Sequence, residues 1–212
     1  KEGIKKNLKL VNAVIELVDS RAPYSSRAYE YSNLFKGKNR IVIFNKYDIC
    51  DEKKTKLWID LYKNNGYSVF TTNLKKDNIK NLLMKRIFPV IPEKFGEKLA
   101  MVVGAPNVGK STFINSIKGK KTLNTGNMPG ITKGLQWINV NEKFRLMDTP
   151  GILFPELYNT NIVNKLILTG SLKPEGIEAS DALAWGLKYI NKEPEEYIME
   201  YCIKRNFLKK GS

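Results

Sequence analysis

Histidine is absent from the sequence, and cysteine is almost absent. Without histidine, these 212 residues can hold no Ser-His-Asp triad, no histidine-ligated zinc and no histidine general base. The two cysteines, Cys50 and Cys202, lie far apart in no metal-type spacing, which predicts reduced thiols in an intracellular protein. No apolar run approaches the length that crosses a bilayer, so we expect no membrane span.

Acidic residues are scarce relative to basic ones. Lys and Arg number 36 against 21 Asp and Glu, which gives a formal charge of +15. Such an excess favours a polyanionic partner, above all a nucleic acid. A genomic bias toward Lys codons is an equal alternative, because Lys far outnumbers Arg and Asn is abundant. The charge alone therefore leaves both interpretations open.

Short apolar runs alternate with helix-like segments through the first two thirds of the chain. Strands are predicted at residues 14–18, 41–44, 69–70, 99–103, 135–140 and 144–147, and helices at residues 27–36, 52–64, 78–88 and 110–118. This alternation is typical of βαβ units and predicts an α/β fold with a doubly wound, mostly parallel sheet. Ligands of such sheets bind beyond the carboxyl ends of the strands, where polar loops follow the apolar runs.

The pattern changes after Gly151 and becomes helical. Helices are predicted at residues 156–169, 179–190 and 194–203, with Pro and Gly residues between them. We therefore predict two domains: an α/β domain at residues 1–169 and the start of a small, incomplete α-helical domain at residues 170–212.

Residues 104–111 read G-A-P-N-V-G-K-S and fit the phosphate-loop pattern G-x-x-x-x-G-K-[ST]. An apolar strand precedes them and an amphipathic helix follows, as the pattern requires. The ammonium of Lys110 is expected to reach the β- and γ-phosphates, and the hydroxyl of Ser111 to coordinate Mg²⁺. A Gly-Lys turn without a ligand is the alternative. The predicted phosphate-binding residues are Pro106, Asn107, Val108, Gly109, Lys110, Ser111 and Thr112.

Two further stretches suit a triphosphate and its metal. Asp148 ends the last strand and begins D-T-P-G, which predicts a carboxylate that organises Mg²⁺ and a Gly151 N–H that approaches the γ-phosphate. The Gly-rich stretch P-G-I-T, with Gly130 and Thr132, predicts a switch loop whose Thr hydroxyl also binds Mg²⁺. An ordinary turn and a surface loop are the alternatives. The predicted metal ligands are Ser111, Thr132 and Asp148.

A third loop carries the pattern N-K-x-D at residues 45–48. The carboxylate of Asp48 can accept hydrogen bonds from N1–H and the 2-amino group of guanine, an edge that adenine lacks, so the loop predicts guanine selectivity. Lys46 is expected to lie over the base, and Asn45 to tie this loop to the phosphate loop. A helix-capping Asp is the alternative. The loop after the next strand is expected to offer backbone N–H groups to the guanine carbonyl, through Thr71, Thr72 and Asn73.

The order of these motifs is unusual, because the base loop precedes the phosphate loop and the two switches follow. The sequence therefore resembles a circularly permuted P-loop GTPase. Residues 19–26, D-S-R-A-P-Y-S-S, resemble the D-A-R-x-P segment of the YlqF/RbgA family, and G-x-P-N-V-G-K-S, P-G-[IV]-T and D-T-P-G-[IL] are similar too. Ser20 and Ala22 depart from the commonest family residues. The resemblance covers about residues 1–187.

The resemblance implies a monomeric, Mg²⁺-dependent GTPase that assembles the large ribosomal subunit, in the cytoplasm or, in a eukaryote, the mitochondrial matrix. Its GTP state would control binding to the rRNA and proteins of the pre-ribosomal particle and release from them, and the particle would stimulate slow hydrolysis. Because phosphoryl transfer needs mostly positioning and neutralisation of charge, Lys110, Thr132 and the Gly151 N–H are the expected catalytic groups. Asn107 resembles the asparagine with which related GTPases bind K⁺ beside the phosphates, and is expected to be catalytic too. The alternative is an RNA-binding assembly factor that uses GTP only as a binding signal, with negligible hydrolysis.

Overall fold

Six strands form one sheet whose order across the molecule is β3-β2-β1-β4-β6-β5. All neighbouring pairs are parallel except β5 and β6, which are antiparallel. The predicted α/β fold with a mostly parallel sheet is therefore confirmed. The strands are β1 Ala13–Asp19, β2 Asn39–Asn45, β3 Ser68–Thr72, β4 Lys98–Gly104, β5 Gln136–Asn141 and β6 Phe144–Asp148.

This computed structural model describes residues 6–27, 29–118, 136–149, 159–174 and 178–190. The chain divides into two compact units, Lys1–Glu156 and Leu157–Ser212. The domain division at residue 169 stays a prediction. None of the helices in the described ranges is long and apolar enough to cross a membrane.

Apolar side chains on both faces of the sheet explain why helices cover each face. Ile15 and Leu17 of β1 join one buried cluster, whereas Val14 and Val18 point the other way into two further clusters. Side chains alternate along a strand, so β1 is buried on both faces, as a central parallel strand must be. Three α-helices of this unit have both ends within the described residues: α1 Glu52–Asn64, α2 Ile79–Leu82 and α3 Lys110–Ile117.

Two predicted helices have a different form. Residues 27–36 contain a 3₁₀ helix, Tyr29–Phe35, in place of the predicted α-helix, and the Arg27 side chain just before it is bonded to Glu16 of β1. The predicted helix at residues 78–88 is α-helical only to Leu82, and a π-helical stretch, Leu83–Ile87, and a 3₁₀ turn, Phe88–Val90, follow. Pro89 lacks the N–H that an α-helical continuation needs.

The second unit contains α4 Thr160–Leu168 and α5 Glu178–Ile190. Helix α4 begins later than predicted because the side chain of Asn159 accepts hydrogen bonds from two N–H groups of the first turn. The two helices pack closely, since a Cβ on Gly186 would lie 2.8 Å from a Leu168 methyl carbon. The helix predicted at residues 194–203 lies outside the described residues.

Candidate nucleotide-binding site

The predicted loops meet at one edge of the sheet because they follow the carboxyl ends of adjacent parallel strands. Asp19 at the end of β1 is aligned with Asn45 at the end of β2, which is aligned with Thr72 at the end of β3. On the other side of β1, Leu17 is aligned with Gly104 at the end of β4, and Val102 of β4 with Asp148 of β6. This edge is where ligands of doubly wound sheets bind.

The phosphate loop joins β4 to α3 through two residues with positive φ angles, Asn107 at +56° and Gly109 at +110°. A Cβ on Gly109 would lie 2.4 Å from Asn45 Nδ2 and 2.8 Å from Leu74 Cδ1, so only glycine fits. Lys110, the residue after Gly109, begins α3. The first N–H groups of a helix have no acceptor within that helix, so those of α3 can donate to a phosphate. All seven predicted phosphate-binding residues, 106–112, lie in this loop and the first turn of α3.

Lys110 and Asp148 lie in direct contact although they are predicted to bind different parts of the ligand. Lys110 Nζ donates to Asp148 Oδ1 at 2.8 Å, and both side chains are largely buried. The pair balances two charges at the point where the ends of β4 and β6 adjoin. A phosphate that replaced Asp148 as the acceptor of Lys110 would leave the carboxylate available to a metal ion.

The described donor set suits a metal that is shared with a nucleotide. It consists of one carboxylate, on Asp148, and one exposed hydroxyl, on Ser111 in the first turn of α3. Mg²⁺ commonly takes only one or two protein ligands and fills its shell with water and substrate phosphates. Among the described residues there is no group of three or more acidic or cysteine side chains that could hold an ion alone. The third predicted ligand, Thr132, lies outside those residues.

Asn45 joins three loops through its side-chain amide, which is buried. Its Nδ2 donates to the Val108 carbonyl at 2.7 Å, and its Oδ1 accepts from the Leu74 N–H at 3.1 Å. The expected tie between the base loop and the phosphate loop is therefore present. The link to Leu74, in the loop after β3, was not predicted from the sequence.

The other two residues of the base loop take different positions at the edge. Lys46 has a φ of +61° and its Nζ donates to Asp19 Oδ2 at 2.8 Å and to the Asn107 carbonyl at 3.2 Å. Asp48 is exposed, and its Oδ2 accepts from Lys76 Nζ at 3.2 Å. The Lys76 side chain is 74% exposed, so this ion pair is weak and a ligand can replace it.

In the loop after β3, the Asn73 N–H, which was expected to face a guanine carbonyl, already has an acceptor within the loop. Asn73 N–H donates to Asp77 Oδ2 at 2.8 Å, and Thr72 Oγ1 donates to the same oxygen at 2.7 Å. Thr71 is half-buried beside them. A guanine carbonyl would have to share the Asn73 N–H with Asp77. Sequence reasoning missed Asp77, whose signal is an Asp shortly after a strand end, a common loop-closing residue.

Sequence reasoning also assigned no role to Asp19, which is completely buried between Arg21 and Lys46. Its position in the sequence, a charged residue that ends an apolar strand, could have indicated a role, because a buried charge needs partners. Three residues predicted for the triphosphate end of the site, Gly130, Thr132 and Gly151, lie outside the described residues. The structure thus brings together the base loop, the phosphate loop and Asp148.

Comparison with known proteins agrees with this geometry. A family model described as a 50S ribosome-binding GTPase matches residues 99–207. The chain is 40% identical to Ribosome biogenesis GTPase A of Thermotoga maritima over 220 aligned positions, which cover 100% of this chain and 79% of that protein. It is 34% identical to the protein of the same name from Bacillus cereus, with coverage of 93% and 70%.

Two solved structures are similar over nearly the whole chain. A GDP-bound YlqF structure superposes with a TM-score of 0.71 at 35% identity, covering 98% of this chain and 86% of that one. A GNP-bound YlqF from T. maritima has the same TM-score and identity, with coverage of 99% and 84%. The sheet, the motif order and these relatives lead to one assignment. The chain belongs to the ribosome biogenesis GTPase A (YlqF/RbgA) family of circularly permuted GTPases.

Proposed function

We propose that this GTPase binds GTP across the junction of its base loop and phosphate loop, and that hydrolysis there controls its association with the large ribosomal subunit precursor. The observation that carries the proposal is the hydrogen bond from Asn45 Nδ2 to the Val108 carbonyl. That bond makes two loops, 63 residues apart in the chain, into one surface that can hold a base at one end and phosphates at the other.

Phosphoryl transfer requires mostly positioning and neutralisation of charge. Lys110 would exchange its partner Asp148 for the β- and γ-phosphate oxygens, while the N–H groups at the start of α3 bind the same phosphates. Mg²⁺, held by Ser111, Thr132 and Asp148, would supply neutralisation of the phosphate charge. The Gly151 N–H would bind the γ-phosphate and so sense whether GTP or GDP is present.

Guanine would be recognised by Asp48, once Lys76 has released it, and by the Asn73 N–H in the loop from Thr71 to Asn73. Changing Asp48→Asn should weaken the binding of GTP and shift the protein's preference toward xanthosine triphosphate (XTP). The amide then offers a hydrogen-bond donor where guanine also has one. Competition binding with GTP, XTP and ATP measures this. A wild-type protein that bound ATP as tightly as GTP would contradict the assignment.

Hydrolysis in the isolated protein should be slow. The residue after D-T-P-G is Ile152, which cannot orient a water molecule by hydrogen bonding. Asn107 lies exposed in the phosphate loop, where its side chain suits a K⁺ ion that adds positive charge beside the phosphates. Turnover should then be faster in K⁺ than in Na⁺, and Asn107→Ala should remove the difference. Equal rates in the two salts would exclude a K⁺ site.

The partner we propose is the rRNA-rich precursor of the large ribosomal subunit, which a monomer would meet in the cytoplasm. The family description as a 50S ribosome-binding GTPase and the formal charge of +15 support this. Contacts to phosphates release counterions, so binding to the particle should weaken steeply as salt rises. If the Lys-rich surface has no RNA partner, the protein should not bind the particle even at low salt.

Co-sedimentation with large subunits in the presence of GDP or a non-hydrolysable GTP analogue tests the control by nucleotide. Binding that is strong with the analogue and weak with GDP is expected. Turnover measured with and without subunits addresses the other candidate function, in which GTP is a binding signal alone. Turnover that stays negligible with subunits present would favour that candidate.

A further inference from the structure

Residues 19–27, the last residue of β1 and the loop after it, have no role in the proposed reaction, yet hydrogen bonds fix them tightly to their surroundings. Ser20 Oγ donates to the Asn45 carbonyl at 2.7 Å, and Thr55 Oγ1 donates to the Ser20 carbonyl at 3.1 Å. Ser26 Oγ accepts from the Asp19 N–H at 2.9 Å and donates to the Ala22 carbonyl at 2.8 Å. A loop with this many buried bonds can hold one side chain in a fixed position.

The side chain that it holds is Asp19, which has no exposed surface. Its carboxylate accepts from Arg21 Nε at 2.9 Å, from Arg21 Nη2 at 2.7 Å and from the Arg21 N–H at 3.0 Å. It also accepts from Lys46 Nζ at 2.8 Å. Burial raises the pKa of Asp19, but the hydrogen bonds from Arg21 and Lys46 outweigh burial and hold that pKa below its usual value. The group is therefore ionised at neutral pH.

The ammonium of Lys46 is shared between this carboxylate and the Asn107 carbonyl of the phosphate loop, 3.2 Å away. A long, flexible Lys side chain loses rotamer entropy whenever a ligand has to order it. Here Asp19 orders it in advance, and preorganisation of this kind increases affinity by lowering the cost of binding.

We propose that Asp19 is a positioning residue for nucleotide binding: its buried carboxylate holds Lys46 against the phosphate loop, in place for an arriving guanine nucleotide. Arg21 acts through Asp19, because its paired hydrogen bonds keep the carboxylate in the orientation that meets Lys46. The inference rests on the proposed nucleotide site and adds to it a residue of β1.

The test compares Asp19→Asn, Lys46→Ala and the double variant in equilibrium binding of a fluorescent GDP analogue to the full chain. Asp19→Asn keeps the shape of the side chain but loses its charge, and should weaken binding about ten-fold. The KM for GTP should rise while kcat at saturating GTP stays the same, because Asp19 touches no reacting atom. The double variant should bind no more weakly than Lys46→Ala alone, since Asp19 acts only through Lys46.

Glu16→Gln is the matched control. Glu16 is also a buried carboxylate of β1, but it faces the other side of the sheet, where it pairs with Arg27 at 3.0 Å and Arg40 at 3.3 Å. Its substitution should lower stability and leave the affinity for GDP unchanged. Should Asp19→Asn alone fail to fold, the double variant Asp19→Asn with Arg21→Gln removes one of the two cations that lose the Asp19 carboxylate and should show the same loss of affinity.

An affinity of Asp19→Asn within about two-fold of wild type would overturn the positioning role. Additive losses in the double variant would overturn it as well, because Asp19 would then act independently of Lys46. A wild-type protein that bound no guanine nucleotide would instead contradict the proposed function. The two failures are thus distinguishable.

Discussion

Gly109 lies where the phosphate loop packs closely against Asn45 of the base loop. We predict that Gly109→Ala lowers the free energy of unfolding by about 2–4 kcal/mol and abolishes GDP binding, because a Cβ displaces Asn45 from Val108. Gly66→Ala is the control, since Gly66 has a φ of +80° but nothing within 4 Å of its Cβ position. It should cost only about 1 kcal/mol of backbone strain and leave GDP binding intact. Denaturant unfolding and fluorescence binding measure both effects.

Asp19 should give the protein a characteristic acid sensitivity. Its pKa is lower in the folded state than its usual value of about 3.9, since Arg21 and Lys46 outweigh the effect of burial. The stabilisation is therefore complete above about pH 4 and is lost as pH falls below that value. Wild type should be more stable than Asp19→Asn at pH 6, and this difference should shrink toward pH 3. A difference that stayed constant over that range would contradict the ionised pair.

The sequence motifs named residues that the structure brings to one edge of the sheet, but they indicated few of the contacts that these residues make. The motifs identified Lys110 and Asp148, for instance, yet the hydrogen bond between them depends on β6 lying beside β4. The contact between Asp19 and Lys46 likewise depends on strand pairing, because β1 and β2 are paired in register. A motif records residue types and spacing, whereas these contacts follow from the strand order.

Among the local elements, the turn between Lys94 and Glu97 contains an unfavourable residue. Phe95 has a φ of +54° and is 94% exposed, and Gly96 follows with a φ of +79°. Turns of this type favour Asn-Gly. We predict that Phe95→Asn raises the free energy of unfolding by about 1 kcal/mol, because the strain of a bulky residue is removed and no buried surface is lost.

Leu57→Asn is the comparison for that substitution. Leu57 is 71% exposed but lies within α1, where Asn is a poorer helix former than Leu. Its substitution should lower stability by a few tenths of a kcal/mol. Thermal and denaturant unfolding of both variants decide the point, and changes of the same sign would show that exposure, not the turn conformation, determines the result.

The six strands of the sheet were all predictable, because each is an apolar run that ends at a polar loop. The ends of α1, α3 and α5 were also predicted to within one residue, but the helix type at residues 27–36 and the start of α4 were not. An α-helix and a 3₁₀ helix of two turns have similar apolar spacing, so Tyr29–Phe35 could not be distinguished. Several polar residues precede α4, and the cap at Asn159 is decided by which side chain reaches the first N–H groups.

The sheet as a whole consists of two halves that are consecutive in the chain. Strands β1 to β3 form one half and β4 to β6 the other, and the pairing of β1 with β4 joins them in the sheet. The bonds from Asn45 to Val108 and from Lys46 to Asn107 cross the same seam. A nucleotide bound to both loops therefore holds the two halves together.

We predict that GDP raises the unfolding temperature of the protein. A ligand present at a hundred times its Kd adds about 2.7 kcal/mol to the stability of the state that binds it. Thermal unfolding with increasing GDP measures the shift, and ATP at the same concentrations is the control. Equal shifts with both nucleotides would contradict a guanine-specific site at the seam.

The position of β1 at the centre of the sheet also affects how the protein is made. Its partner β2 follows at Asn39–Asn45, but its other partner, β4, begins only at Lys98. One edge of β1 therefore stays unpaired during synthesis until β4 has been made. A nascent chain can form the half of the sheet with β1 to β3 before β4 is made, and the backbone of Ala13–Asp19 is then an unpaired edge. Such edges pair readily with other chains. Premature termination before β4 should therefore yield products that aggregate, whereas chains that reach Gly104 cover that edge themselves.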